Sequence, residues 1–168
     1  MGIRFSSGTR RCIFRQGETD LFTQARLQHL AGRLEEALAD YDRIIAGEDT
    51  AEPPVLQVDY RPVTREVLVA ETRFFRGQAL FDMKEHRACL EGLGAYLRKH
   101  PDNRWRDLAL YYLGESCRKL GMYESAVTYF AAIRREALPG TPAPERLVRI
   151  LDTTWARSGE GAKATGEE

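Results

Sequence analysis

The chain lacks most of the features by which a sequence announces chemistry. It carries only 3 cysteines in 168 residues, Cys12, Cys89 and Cys117. They are too far apart for a paired zinc-ligand spacing and too few for a secreted disulfide scaffold. Its 3 histidines, His29, His86 and His100, fall in separate segments with no cysteine or carboxylate at a ligand spacing. No metal site is therefore expected, and no cofactor. Gly92-Leu-Gly94 is not followed by Lys-Ser/Thr, so no phosphate-cradling loop is present. The acidic groups Glu35-Glu36 and Glu66 with Glu71 read as solvated helix faces, not as a hydrolase pair.

Long apolar runs are absent too, and nothing approaches the ~20 residues a spanning helix needs; direct membrane insertion is not expected. The 25 basic residues balance the 25 acidic ones, so no global field draws the chain to nucleic acid. Local basic stretches at Arg10–Arg15 and Arg98–Arg106 lack the support of a whole basic face. The opening segment has no apolar core of a signal peptide. A cytoplasmic setting is the expectation, with a periplasmic one open should a leader have been removed.

What is present is a register. A degenerate triplet, small at its first and third members, recurs in three helical hairpins as Ala25, Gly32, Ala37, then Gly77, Lys84, Cys89, then Gly114, Gly121, Ala126. Within every triplet the second member follows the first by seven residues and the third follows by five more. Such a shared spacing marks a repeat array. Helical periodicity places helices from Asp20, from Leu34 to Ile45, from Thr64 to Met83 and from Glu85 to Lys99. It then places them at Trp105–Leu120, at Tyr123–Glu136 and, opening near Pro142–Pro144, to about Arg157. Leu147, Ile150, Leu151 and Trp155 give the last helix one apolar face. Residues 1–17 read as an arm whose Ile3, Phe5, Ile13 and Phe14 can dock it. Val55–Pro62 reads as extended, and 158–168 as a disordered tail.

Leu113-Gly114, Gly121, Tyr123, Ala126 and Phe130 resemble the tetratricopeptide repeat, a helix–turn–helix unit. Windows 18–51, 70–103 and 107–140 fit it, with 52–69 an insertion that either extends a helix or folds over a groove. Gln24, Gln28, Arg76 and Lys84 depart from the pattern. The resemblance implies an all-α fold: three tetratricopeptide-like hairpins in a short right-handed superhelix, with a C-terminal closing helix over 142–157. The run from Tyr96 to Glu115 is similar to the bacterial envelope branch of the family, whose members are adaptors.

The family lines its concave face with fixed positions of the first helix of each hairpin. Carried over, these are Thr19, Phe22, Arg26, His29 and Leu30, then Glu71, Phe74, Gln78, Phe81 and Asp82, then Leu108, Tyr111, Glu115, Arg118 and Lys119. Phe22 and Arg26 stand where chaperone-tail binders carry Lys and Asn, so that clamp is not expected. The implied function is a non-enzymatic adaptor or scaffold for complex assembly. It would hold a partner peptide or amphipathic helix against Phe74, Phe81 and Tyr111. The alternative is a structural subunit that self-associates into a homo-oligomer through its stack edges or arm, with the groove closed beneath the arm or the insertion. Cys89 and Cys117 stand at packing positions, where a regulatory disulfide between them remains open, and Cys12 is the more reactive thiol.

Overall fold

The computed structural model describes residues 20–47, 64–134 and 144–164. Among them are seven helices and no strand: α1 Leu21–Leu30, α2 Leu34–Ala46, α3 Arg65–Asp82, α4 His86–Lys99, α5 Arg106–Lys119, α6 Tyr123–Ala131 and α7 Pro144–Ala164. The fold is all-α and tetratricopeptide-like. Its helix starts follow from local chemistry. Asp20 caps α1, Oδ1 accepting from the Thr23 amide at 2.8 Å and Oδ2 from the Thr23 hydroxyl at 2.6 Å. Thr64 caps α3 by accepting from the Val67 amide at 3.3 Å.

Each hairpin turns at the same place in the left-handed region: Gly32 at φ 78°, Lys84 at φ 65° and Gly121 at φ 78°. A side chain in that region costs about 1–2 kcal/mol, which two of the three turns avoid by using glycine. The first members of the triplets set the spacing between paired helices. A Cβ on Gly114 would lie 2.5 Å from Cε1 of Phe130, and one on Gly77 would lie 2.5 Å from Cγ of Leu93. No ordinary contact is that short, so only glycine lets these helices approach so closely. In the first hairpin Ala25 holds the corresponding position, and it and Tyr41 are both fully buried in one cluster.

Consecutive helices pack on one another along the chain, and in addition α1 meets α3 and α3 meets α5. No comparable contact among the described residues joins α2 to α4 or α4 to α6. The first helices of the hairpins therefore crowd together on the inner side of the stack, and the second helices splay on the outer side.

One expectation is met and two shift. The helix expected from Thr64 to Met83 is α3, so residues 65–69 of the insertion take the helix-extending option; residues 52–63 of it lie outside the described residues. α7 continues to Ala164, well past Arg157, despite Gly159 and Gly161; each interior glycine costs a helix only about 1 kcal/mol. Trp155 does not belong to the inward face of α7: it is 68% exposed, and Thr154 is fully buried in its stead. Thr154 tolerates burial because its hydroxyl donates to the Ile150 carbonyl at 2.6 Å. The arm 1–17, the extended piece 55–62 and residues 165–168 of the tail lie outside the described residues.

Candidate functional site

The inner row of α1, α3 and α5 is the surface to which the sequence assigned function. It has two joints of different character. Between α1 and α3 a polar network is added to the apolar packing of Phe22 on Phe75. His29 is buried, with Nε2 2.9 Å from Oδ2 of Asp82 and Nδ1 3.2 Å from Oη of Tyr41. A carboxylate only accepts, so Nε2 carries the proton, which leaves Nδ1 to accept from Tyr41 and from Nη1 of Arg26 at 3.3 Å. The Arg26 guanidinium also lies 3.6 Å over the ring of Phe75, a favourable cation–π placement.

Between α3 and α5 the contacts are aromatic. Phe74 and Trp105 stack with centroids 4.9 Å apart and planes 4° from parallel. Trp105 Nε1 donates to Glu71, and Arg104 grips the same carboxylate through Nε at 3.1 Å and Nη2 at 2.8 Å. A forked guanidinium–carboxylate pair of this kind fixes orientation as well as charge. Next along the row, Phe81 packs on Tyr112 at 5.0 Å, and Gln78 Nε2 donates to Oη of Tyr112 at 3.0 Å. Burial, then the charge of Asp82, pushes the Tyr112 phenol up to about 12, against the opposing Gln78 hydrogen bond.

This geometry sorts the expected groove residues. Phe22 and Leu108 are buried in the core cluster, Phe22 against Phe75 at 6.0 Å. Phe74 is 0% exposed and cannot receive a partner: the Trp105 indole already occupies its face. Glu115 is buried and grips Arg118 at 3.2 and 2.6 Å, a bond that holds the guanidinium above its ordinary range. His29 is committed to Tyr41 and Asp82. What remains open on α3 and α5 is a strip of half-buried Phe81, Tyr111 and Tyr112, with Gln78 beside it and exposed Asp82 and Lys119 nearby, while on α1 Leu30 is 75% exposed. Tyr111 and Tyr112 contact one another at 5.9 Å, so the strip is continuous from α3 to α5.

The middle of the inner row is therefore closed from within. The plug comes from Arg104 and Trp105, which sequence reasoning passed over. Their one signal is the spacer 104–106 between the second and third repeat windows, which carries an Arg-Trp pair.

Cys89 and Cys117 are both free and buried. Burial pushes both thiols up, so neither is primed for thiolate chemistry. Ser116 Oγ donates to Cys89 Sγ at 3.4 Å. His86 packs on Phe81 and His100 on Tyr96. Among the described residues no three His, Cys, Asp or Glu side chains gather as metal ligands would. No described helix is long and apolar enough to cross a membrane.

Residues 108–137 match the sequence model of the tetratricopeptide repeat. The match spans most of the third hairpin, from α5 into the residues after α6, and supports that family for the chain. No curated protein matches the chain at a significant level.

Proposed function

We propose that this chain is a non-enzymatic adaptor that holds a segment of a partner protein on its inner, first-helix face. Tetratricopeptide repeats generally mediate protein–protein contact, which supports the class. The observation that carries the particular surface is the continuous half-exposed strip Phe81–Tyr112–Tyr111, formed where α3 meets α5. Aromatics that are rigid, partly desolvated and polar at one end make effective anchors for another chain. A partner's apolar side chain would be buried against Phe81 and Tyr111, with Lys119 and the edge of Arg118 steering its charge. Phe74, expected as a third anchor, has no part in this reading.

The test is a quantitative pull-down with wild-type and Phe81→Glu baits. Losing a central aromatic anchor costs about 2 kcal/mol or more, roughly thirtyfold in affinity. Partners held by this strip disappear from the variant while its far-ultraviolet circular dichroism stays that of the wild type. Equal recovery by both baits overturns the strip as the working surface.

Self-association is favoured by one observation. Leu27 is 56% exposed at the position that Ala79 and Ser116 bury in the other hairpins. A mass that rises with concentration and returns to that of a single chain with Leu27→Glu decides for it.

A further inference from the structure

The hairpins show what each side of a first helix is for. In α5 the stripe Ala109, Leu113 and Ser116 faces the preceding second helix, Ser116 reaching Cys89 of α4. The adjacent stripe, Leu110, Gly114 and Cys117, lies beneath α6: Leu110 and Cys117 share a buried cluster with Ala126 and Phe130, and Gly114 faces the Phe130 ring. α7 repeats the first stripe at the same spacing. Leu147 and Leu151 pack on the α6 cluster, and fully buried Thr154 takes the place of Ser116.

Aligned in this way, the second stripe of α7 is Val148, Asp152 and Trp155, and no described helix lies over it. Val148 is 55% and Trp155 68% exposed. Asp152 between them is exposed and makes no ion pair among the described residues. One turn beyond, nothing lies within 4 Å of where a Cβ on Gly159 would be. α7 thus stands as the first helix of a hairpin whose second helix is missing from the described residues.

We propose that this stripe docks a helix from a partner protein, an amphipathic helix that takes the place of the missing second helix and sets a Lys or Arg between two large apolar side chains. Val148 and Trp155 are seven residues apart, two turns on one face, so they match apolar residues at the same interval on the incoming helix. Asp152 sits where Gly114 sits in α5, the point of closest approach between paired helices. A wholly apolar helix would strip water from that carboxylate and return nothing, whereas a basic side chain satisfies it. A second copy of α7 fits less well. In parallel it would set Asp152 against Asp152, and in antiparallel with Val148 opposite Trp155 it again brings the two Asp152 side chains together, with no cation from the stripe in either case. The stripe lies on a different side of the first helix from the positions of Tyr111, Glu115 and Arg118, so this proposal stands apart from the inner-face reading.

The experiment pans a displayed library of Ala-based helices, about four turns long and randomised along one face, against the full chain. Enriched clones are expected to carry a basic residue flanked by large apolar ones. Trp155→Ser should weaken their binding about tenfold or more, and Asp152→Lys should invert the preference toward clones with Glu at the basic position. Phe81→Glu should leave them unchanged. All three substituted side chains are at least partly exposed, and unaltered circular dichroism confirms that the variants fold. Absence of enrichment overturns the proposal, as do clones indifferent to Trp155→Ser. So does a wild-type dimer in sedimentation that Trp155→Ser abolishes, which would assign the stripe to a second copy.

Discussion

The two joints of the inner row use one repeat pattern to opposite ends. At the α1–α3 joint, a buried histidine bridges Tyr41 and Asp82, and Arg26 lies flat on Phe75. At the α3–α5 joint, a tryptophan from the connecting segment stacks on Phe74 and is tied by its indole nitrogen to Glu71. Within each hairpin, by contrast, the same small positions and left-handed turn recur. The repeat thus specifies the hairpin and leaves the joint free to vary. It is at the joints that one member of such an array differs from another, in curvature and in the surface it presents.

The largest expected effect breaks the aromatic joint. Trp105→Ala removes the stacked ring, leaves Phe74 uncovered and deprives Glu71 of one donor. Burial and stacking lost from a partly exposed Trp amount to about 2–3 kcal/mol, below the 3–5 of a fully enclosed one. Denaturant unfolding should show that loss of stability. Amide exchange should quicken at the start of α5 and along the Glu71–Phe75 stretch, while α1 and α2 stay protected. A uniform loss of protection instead would mean the two joints are not separable. The same variant should bind a hydrophobic dye that the wild type does not, because the face of Phe74 is opened.

A smaller effect is expected at the polar joint. Asp82→Ala takes away the acceptor that holds His29 Nε2–H, and an unsatisfied donor at a buried histidine costs about 1–2 kcal/mol. Asp82 is itself 40% exposed at its side chain, so water recovers part of the loss and keeps the figure at the lower end. The matching measurement is exchange protection around His29 and Tyr41. A loss as great as that of Trp105→Ala would contradict the view that the aromatic joint is the stronger one.

Hairpins were legible in the sequence and joints were not, for a physical reason. The triplet Gly114, Gly121, Ala126 is a local requirement: two helices in one hairpin must approach closely and the chain must turn between them. Phe74 illustrates the opposite case. Its position on the first helix marks it as inner-facing, and it is, but whether it meets solvent or a neighbouring side chain depends on Trp105, far along the chain. Nothing in the periodicity around Phe74 carries that information. Trp155 was misplaced for a different reason. Apolar spacing alone put it inward with Leu147, Ile150 and Leu151, whereas Thr154, able to satisfy its hydroxyl on the Ile150 carbonyl, occupies that place and leaves the indole outside.

The comparison is sharpened by a change that touches neither joint. Lys84 is the one turn residue of the three that is not glycine, held at φ 65° where its Cβ crowds the backbone. Lys84→Gly removes that strain, about 1–2 kcal/mol, and gives back part of it as added freedom in the unfolded chain. The net expectation is a gain of about 0.5–1 kcal/mol, read as a higher denaturation midpoint with an unchanged denaturant slope. Because the gain arises in the turn, it should add to the losses from Trp105→Ala and Asp82→Ala without coupling to either. Additivity within about 0.5 kcal/mol would establish that hairpin and joint are independent units of this stack. A larger departure would mean that the turn sets the angle at which α3 offers Phe74 and Asp82 to its neighbours, so that the repeat pattern governs the joints after all.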